Sequence, residues 1–206
     1  MNTIVYLVRH SEPFKIHKGV KNTNESLLIE NEKSPLSING EKMAESWACN
    51  KEFDSLSSVW SSNYVRAMST AKYFAYKNDL KVNIDERLNE RIHGVESWED
   101  LPRDFEYKQF VDPDYKIGSG ESRKEVVERY YSLLIECLDE FRGKKVLIVS
   151  HSTAIFFLLM SLCDIKSFNE CFFNDEIFFD GSWNYLETFR LEFDSNNKLV
   201  NIRNIR

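Results

Sequence analysis

Two short runs of consecutive apolar residues frame this chain. Residues 3–8, "TIVYLV", and Val146 to Val149 within "KKVLIVSHS" (144–152) are continuous rather than alternating. Strands buried on both faces of a parallel sheet have this character. Each run breaks abruptly into polar residues, at Arg9 and His10 in the first and at Ser150 and His151 in the second. Between and after them lie helical and strand-like patterns. "PLSINGEKMAESWACNKEF" reads as a helix with Met43, Ala44, Trp47 and Ala48 on its apolar face and Ser37 or Asn39 as its cap. "SSVWSS" (57–62) reads as a short strand, and "NYVRAMSTAKYFAYKN" as a helix burying Val65, Met68, Ala71, Tyr73 and Phe74. "KVNIDERL" reads as another strand.

The clearest helix is "SRKEVVERYYSLLIECLDEFRG". Ser122 and Glu125 form a capping-box signature, Val126, Tyr130, Leu133, Leu134, Cys137, Leu138 and Phe141 make its apolar stripe, and Gly143 stands at its end. "TAIFFLLMSLC" reads as a buried helix, and "WNYLETFRLEFDSNNKLVNIRNIR" as a hairpin turning at "DSNN". Two stretches carry no clean period. "KGVKNTNESLLIENEKS" reads as an excursion loop, and residues 95–120, acidic and aromatic, as a small cap or loop region beside a cleft. Strands alternating with helices imply an α/β protein, a three-layer α/β/α sandwich with a mostly parallel central sheet. All 206 residues fit one domain.

Composition narrows the function classes. The net charge is −6, which disfavours general attraction to nucleic acid or anionic membrane. The longest apolar run, "AIFFLLM", falls far short of the ~20 residues that span a bilayer. Cys49, Cys137, Cys163 and Cys171 show neither metal-site nor disulfide-framework spacing. They read as reduced thiols of a cytoplasmic protein, and the N-terminus runs straight into a strand with no signal peptide visible. An anionic ligand would have to be held by local cations against the overall field.

Candidates for that role stand at the strand tips, where open α/β sheets bind ligands. His10 and His151 end two strands, and Arg9 precedes the first. Arg66 lies near the start of a helix, whose free N–H groups and positive dipole end favour anions, and its planar fork matches phosphate oxygens. Taken singly, Arg9 reads as a salt-bridge partner and each histidine reads better as an ordinary, satisfied, partly buried side chain.

Together the motifs resemble the histidine phosphatase superfamily, the phosphoglycerate mutase-like proteins. The likeness runs along nearly the whole chain in order. "LVRHSEP" resembles the opening Arg-His-Gly motif, "PLSINGEKMAE" the helix after the first loop, and "WSSNYVRAMSTA" the second-arginine motif. "RLNERIHG" resembles the segment carrying the catalytic glutamate, "GSGESRKEVVERY" the entry to the long helix, and "VLIVSHS" the second-histidine motif. The resemblance implies His10 as a nucleophile that forms a phosphohistidine, and Arg9, Arg66 and His151 around the transferring phosphoryl group. Glu90 would carry the proton to the leaving alkoxide and then from the attacking water. His10 must be neutral to attack, so its other ring nitrogen should donate to a fixed acceptor such as a backbone carbonyl. Guanidiniums and an imidazole serve here where kinases use magnesium, so neither metal nor other cofactor is expected.

The chain departs from the family at three positions. Ser11 and Ser152 stand where glycine follows each histidine, and either hydroxyl could reach phosphate or crowd the site. His17 replaces an asparagine, either donating to phosphate or lying exposed in the loop. Lys15, Lys18 and Lys21 beside it are solvated loop charge or a local attraction for substrate. His93 faces the cleft without a catalytic role. The family's mutases carry a longer basic insertion after the glutamate. Here "VESWEDLPRDFEYKQF" follows instead, with Arg91, Arg103 and Lys108 as candidate contacts for a substrate carboxylate. Trp98, Phe105, Tyr107, Phe110 and Tyr115 suit either an apolar substrate or packing of the cap. The expected activity is therefore hydrolysis of a small phosphorylated metabolite, with phosphoglycerate mutase-type phosphoryl transfer or a catalytically weak phosphate-binding or regulatory protein as the alternatives. A homodimer is compatible with all of these.

Overall fold

The computed structural model describes residues 1–14, 32–95, 98–166 and 169–205. Most of the excursion loop lies outside them. The central sheet has six strands: β1 (Thr3–Arg9), β2 (Ser58–Ser61), β3 (Val82–Ile84), β4 (Lys145–Ser150), β8 (Thr188–Phe193) and β9 (Leu199–Ile205), in the order β3-β2-β4-β1-β8-β9. β1, β2, β3 and β4 run parallel, and β8 and β9 add an antiparallel hairpin. The hairpin turns where Asp194 Oδ1 accepts from the N–H groups of Asn196 and Lys198, within the "DSNN" stretch.

The apolar runs at β1 and β4 are continuous because both faces of the sheet are covered. Val5, Leu7, Val146 and Ile148 pack into one core with helices α4 (Arg123–Glu140) and α5 (Ser152–Leu162). Tyr6, Val8, Leu147 and Val149 pack into the other with α1 (Ile38–Ala48) and α2 (Val65–Lys77). Each such side chain taken from water contributes about 1.5–3 kcal/mol, so burial on both faces holds β1 and β4 firmly. The expected three-layer sandwich is the one observed.

The helix ends follow local chemistry. Ser37 Oγ accepts from Gly40 N and caps α1; Asn39 lies inside the helix. In α2 the buried face is Arg66, Ala67, Thr70, Ala71, Phe74 and Ala75. That face is rotated from the expected one because small side chains, not the bulky Met68 and Tyr73, let α2 sit close to the sheet. The strand expected at "KVNIDERL" shortens to three residues and tightens into a 3₁₀ turn at Glu86–Leu88.

Two features had no sequence signal. The 95–120 region contains helix α3 (Phe105–Val111), and strands β5 (Asp164–Ile165), β6 (Cys171–Phe173) and β7 (Glu176–Phe179) form a small second sheet. The cap joins the body where Gly94 and Gly120 cross. A Cβ on Gly94 would stand 1.9 Å from Ile117 O, and its φ is +77°. A Cβ on Gly120 would stand 2.8 Å from the backbone of Gly94 and His93. Only glycine allows that approach.

The capping box of α4 is present: Glu125 N donates to Ser122 Oγ at 3.2 Å and Ser122 N to Glu125 Oε2 at 2.8 Å. Ser122→Ala should lower the unfolding free energy by about 1 kcal/mol, read from urea denaturation; an unchanged midpoint would contradict this role for the cap.

Candidate active site

β1 and β4 are adjacent and in register at Arg9 and Ser150, so His10 and His151 leave the sheet side by side. The chain after β1 turns to the α1 face, and the chain after β4 turns to the α5 face. Adjacent parallel strands whose chains part to opposite faces open a crevice at their carboxyl ends. The two imidazole centroids are 5.2 Å apart, both rings buried.

Arg66, in the first turn of α2, joins them. Its Nε donates to His10 Nε2 at 3.0 Å, and its Nη2 donates to His151 Nδ1 at 3.0 Å. A guanidinium can only donate, so the network assigns both tautomers. His10 carries its proton on Nδ1 and gives it to the Ser11 carbonyl at 2.8 Å. That is the backbone acceptor expected for a neutral nucleophile. His151 carries its proton on Nε2 and gives it to Ser62 Oγ at 2.8 Å. The Tyr64 N–H also donates to Ser62 Oγ, at 3.3 Å.

Burial, and then the charge of Arg66, hold His10 and His151 well below the ordinary histidine range. Both are therefore neutral near pH 7. Arg9 adds to the same push on each ring, which places a second guanidinium within electrostatic reach. Arg9 Nη1 donates to Trp183 O at 3.3 Å, and its guanidinium lies 5.0 Å from the Tyr185 ring centroid. Its Nε is buried with no acceptor among the described residues, so the fork retains donor capacity.

Glu90 follows the 3₁₀ turn after β3. Its Oε1 accepts from Ala154 N and Arg91 N, each at 3.0 Å, and its Oε2 from Thr153 N at 3.3 Å. The first turn of α5, directly after His151, thus holds the carboxyl. The charge of Glu90 reaches both Arg9 and Arg66, partly offsetting the burial that lowers their pKa values. Arg129 of α4 pins the segment, donating to Arg87 O at 2.6 Å and Glu90 O at 3.4 Å, and Ser150 Oγ donates to Leu88 O at 2.7 Å.

Other expected residues fall elsewhere. Ser11 is fully buried, and its hydroxyl donates to Gly40 O at 2.7 Å while its N–H donates to Thr70 Oγ1 at 3.0 Å. It braces the loop that carries His10, its hydroxyl turned away from the pocket, because the first turn of α1 presses against that loop. Ser152 opens α5, half-buried at the edge of a cavity beside the site. His17, Lys15, Lys18 and Lys21 lie outside the described residues. His93 sits between Trp98 and Phe105, with ring centroids 4.6 and 6.0 Å away.

Two of the cap's three candidate cations, Arg91 and Lys108, are engaged. Arg91 is buried, with Nη1 donating to Gln109 Oε1 at 2.5 Å and Nη2 paired to Glu106. Lys108 pairs with Asp104 at 3.0 Å, and Arg103 is exposed. Phe105 and Tyr115 pack the cap together; Tyr107 and Trp98 are exposed, and Phe110 lines the cavity.

Sequence reasoning missed Ser62, Thr70, Gly40 and Arg129 as supports. Ser62 and Thr70 lie inside the quoted "SSNYVRAMSTA" stretch, which was a usable signal; Arg129 and Gly40 had none apart from membership of their motifs. Among the described residues, no group of three or more His, Cys, Asp or Glu could hold a metal ion, and no helix is long and apolar enough to cross a membrane.

Two outcomes follow from this geometry. A Cβ on Gly40 would stand 2.1 Å from Glu12 O, so Gly40→Ala must push the loop that carries His10. It should cost about 1–3 kcal/mol in urea unfolding, and a neutral result would show the loop to be loosely held. The second concerns pH. Unfolded histidines protonate near 6.5, while His10 and His151 resist protonation in the fold. Below that pH the unfolded chain binds more protons, so stability is lost as pH falls. A chain carrying His10→Asn and His151→Asn should escape this loss. Its unfolding free energy relative to wild type should therefore rise between about pH 7 and pH 5; a pH-independent difference would contradict the assigned protonation states.

Comparison with known proteins agrees with the geometry. Residues 5–186 match the profile of the histidine phosphatase superfamily (branch 1). A probable phosphoglycerate mutase GpmB of Cronobacter sakazakii is 30% identical over 174 residues, covering 81% of this chain and 77% of that protein. The GpmB of Serratia proteamaculans is 33% identical with the same coverage. Among solved structures, a mycobacterial glucosyl-3-phosphoglycerate phosphatase superposes with TM-score 0.69 at 18% identity, covering 100% of this chain and 97% of that one. Bacillus stearothermophilus YhfR gives 0.68 at 21% identity, with 96% and 94% covered. The strand-tip histidines, the bridging arginine and the matched profile meet in one conclusion: the chain belongs to the histidine phosphatase superfamily.

Proposed function

We propose that the protein is a metal-independent phosphomonoesterase acting on a small phosphorylated metabolite through a phosphohistidine on His10. The observation that carries this reading is the Arg66 bridge, which leaves the Nε2 lone pair of His10 facing a guanidinium instead of a proton. A phosphate oxygen bonds a guanidinium more strongly than a neutral imidazole does, because the bond is charge-assisted at both ends. Incoming phosphate therefore draws Arg66 onto its own oxygens and uncovers the nucleophile.

Nε2 then forms a bond to phosphorus as the ester P–O bond breaks. The Nδ1–H···O=C bond to Ser11 stabilises the positive charge that the ring acquires. Arg9 and Arg66 neutralise the equatorial oxygens, the main protein contribution to phosphoryl transfer, while the neutral His151 accepts from Arg66 Nη2 and steadies that guanidinium. Glu90, protonated, gives its proton to the leaving alkoxide. Its Oε2 has a single long N–H contact and so keeps a lone pair for that proton, whereas Oε1 serves two N–H groups. In the second half Glu90 takes a proton from water, the water oxygen bonds phosphorus, and the P–N bond breaks to release inorganic phosphate.

The names of the relatives favour a mutase reading as well. Against it stands the cap: a glycerate carboxylate needs a cation, and Arg91 and Lys108 are already paired with Glu106 and Asp104, which leaves the exposed Arg103 alone of the three candidates. A non-catalytic binder is disfavoured by Ser11, whose hydroxyl is turned to Gly40 and does not crowd the pocket.

Phosphate release from 4-nitrophenyl phosphate in the presence of chelator tests the proposal. His10→Ala should abolish it. Glu90→Gln should slow hydrolysis of alkyl phosphates by about 10²–10⁴-fold, and far less for 4-nitrophenyl phosphate, whose leaving group needs no proton. Phosphate binding without turnover in the wild type would overturn the reading.

A further inference from the structure

A cavity of about 140 Å³ opens beside the reaction centre, between the first turn of α5, the cap helix α3 and the segment that carries Trp183. Its walls include the rings of Phe110, Phe156, Phe157 and Trp183, with the exposed side chains of Glu106 and Asn169. It adjoins the catalytic groups at two points. Thr153, in its wall, donates its N–H to Glu90 Oε2. Trp183, also in its wall, accepts from Arg9 through its carbonyl. Glu90 itself lines a second, more polar cavity with Tyr64, Glu121 and Arg129. A phosphomonoester clamped by Arg9 and Arg66, with its ester oxygen turned to Glu90, therefore has two directions open to its alcohol portion. The one past Thr153 and Trp183 leads into the aromatic cavity.

We propose that this cavity receives the alcohol half of the substrate, and that the preferred substrates are phosphomonoesters of an uncharged, apolar alcohol about the size of one ring. The proposal rests on the phosphatase reading above and adds the substrate class. Size supports it, since a cavity of roughly 150 Å³ lined by apolar side chains accommodates a benzene molecule. Charge supports it too. The one ionisable group among the described lining residues is Glu106, an anion already committed to Arg91. A substrate carboxylate or second phosphate would enter an aromatic space beside a like charge, with no compensating cation in the described wall. An apolar ring instead exchanges water contact for the aromatic side chains of the wall.

The test compares kcat/KM for benzyl phosphate and 3-phosphoglycerate. Both are esters of primary alcohols, so leaving-group chemistry is nearly matched and pocket recognition dominates. Benzyl phosphate should be favoured at least tenfold. Phe156→Trp, which fills the cavity, should bring that ratio toward one, chiefly through KM. Glu106→Gln, on an exposed side chain, should also narrow it, by improving 3-phosphoglycerate. Equal use of the two substrates by wild type overturns the substrate class and leaves the phosphatase reading standing. So does an unchanged preference in Phe156→Trp. Folded wild-type protein that releases phosphate from neither substrate, nor from 4-nitrophenyl phosphate, overturns both.

Discussion

A single guanidinium shared between two neutral imidazoles sets the terms for the rest of this structure. Arg66 is nearly fully buried, and so are both rings. A buried cation is costly unless something accepts its protons, and here the acceptors are nitrogen lone pairs of His10 and His151. That arrangement holds only if each ring's other nitrogen keeps its proton on a fixed acceptor. Ser11 O and Ser62 Oγ are those acceptors. Thr70 closes the circuit by accepting from Ser11 N and donating to Arg66 O. Removing any of these leaves a polar group stranded in a dry space, so the network is satisfied as a unit.

The scaffold exists to hold that unit still. β1 and β4 are covered on both faces and cannot slip by one residue without exchanging their two cores. Their register then fixes the separation of the rings. The Glu90 segment has no such sheet pairing and is held by individual hydrogen bonds from Arg129, Ser150 and the start of α5. The carboxyl group proposed to gain and lose a proton thus sits on the more loosely built side of the crevice.

Much of this was legible in the sequence, for physical reasons. A strand buried on both faces must be continuously apolar, and a ligand site at its tip must interrupt that run sharply, so "YLVRHS" and "LIVSHS" stood out. The Ser122 and Glu125 capping box is local and was readable for the same reason. What escaped notice depends on contacts distant in sequence. The direction of the Ser11 hydroxyl is decided by Gly40, and the tautomer of His151 by Ser62. The buried face of α2 was misjudged because small side chains made the contact. Strands of two to four residues, such as those of the second sheet, are too short to show a period. The cap helix is organised by Arg91, Gln109 and Glu106, a polar arrangement with no hydrophobic signature.

The crossing of Gly94 and Gly120 has a consequence for how such a protein could diversify. The backbone enters and leaves the cap at one tight knot of main chain, immediately after the glutamate segment and immediately before the long helix. Insertions, deletions or wholesale replacement between those two glycines need not be felt by the histidines or their arginine. On the proposed function, selectivity and reactivity are thereby separable quantities in this architecture.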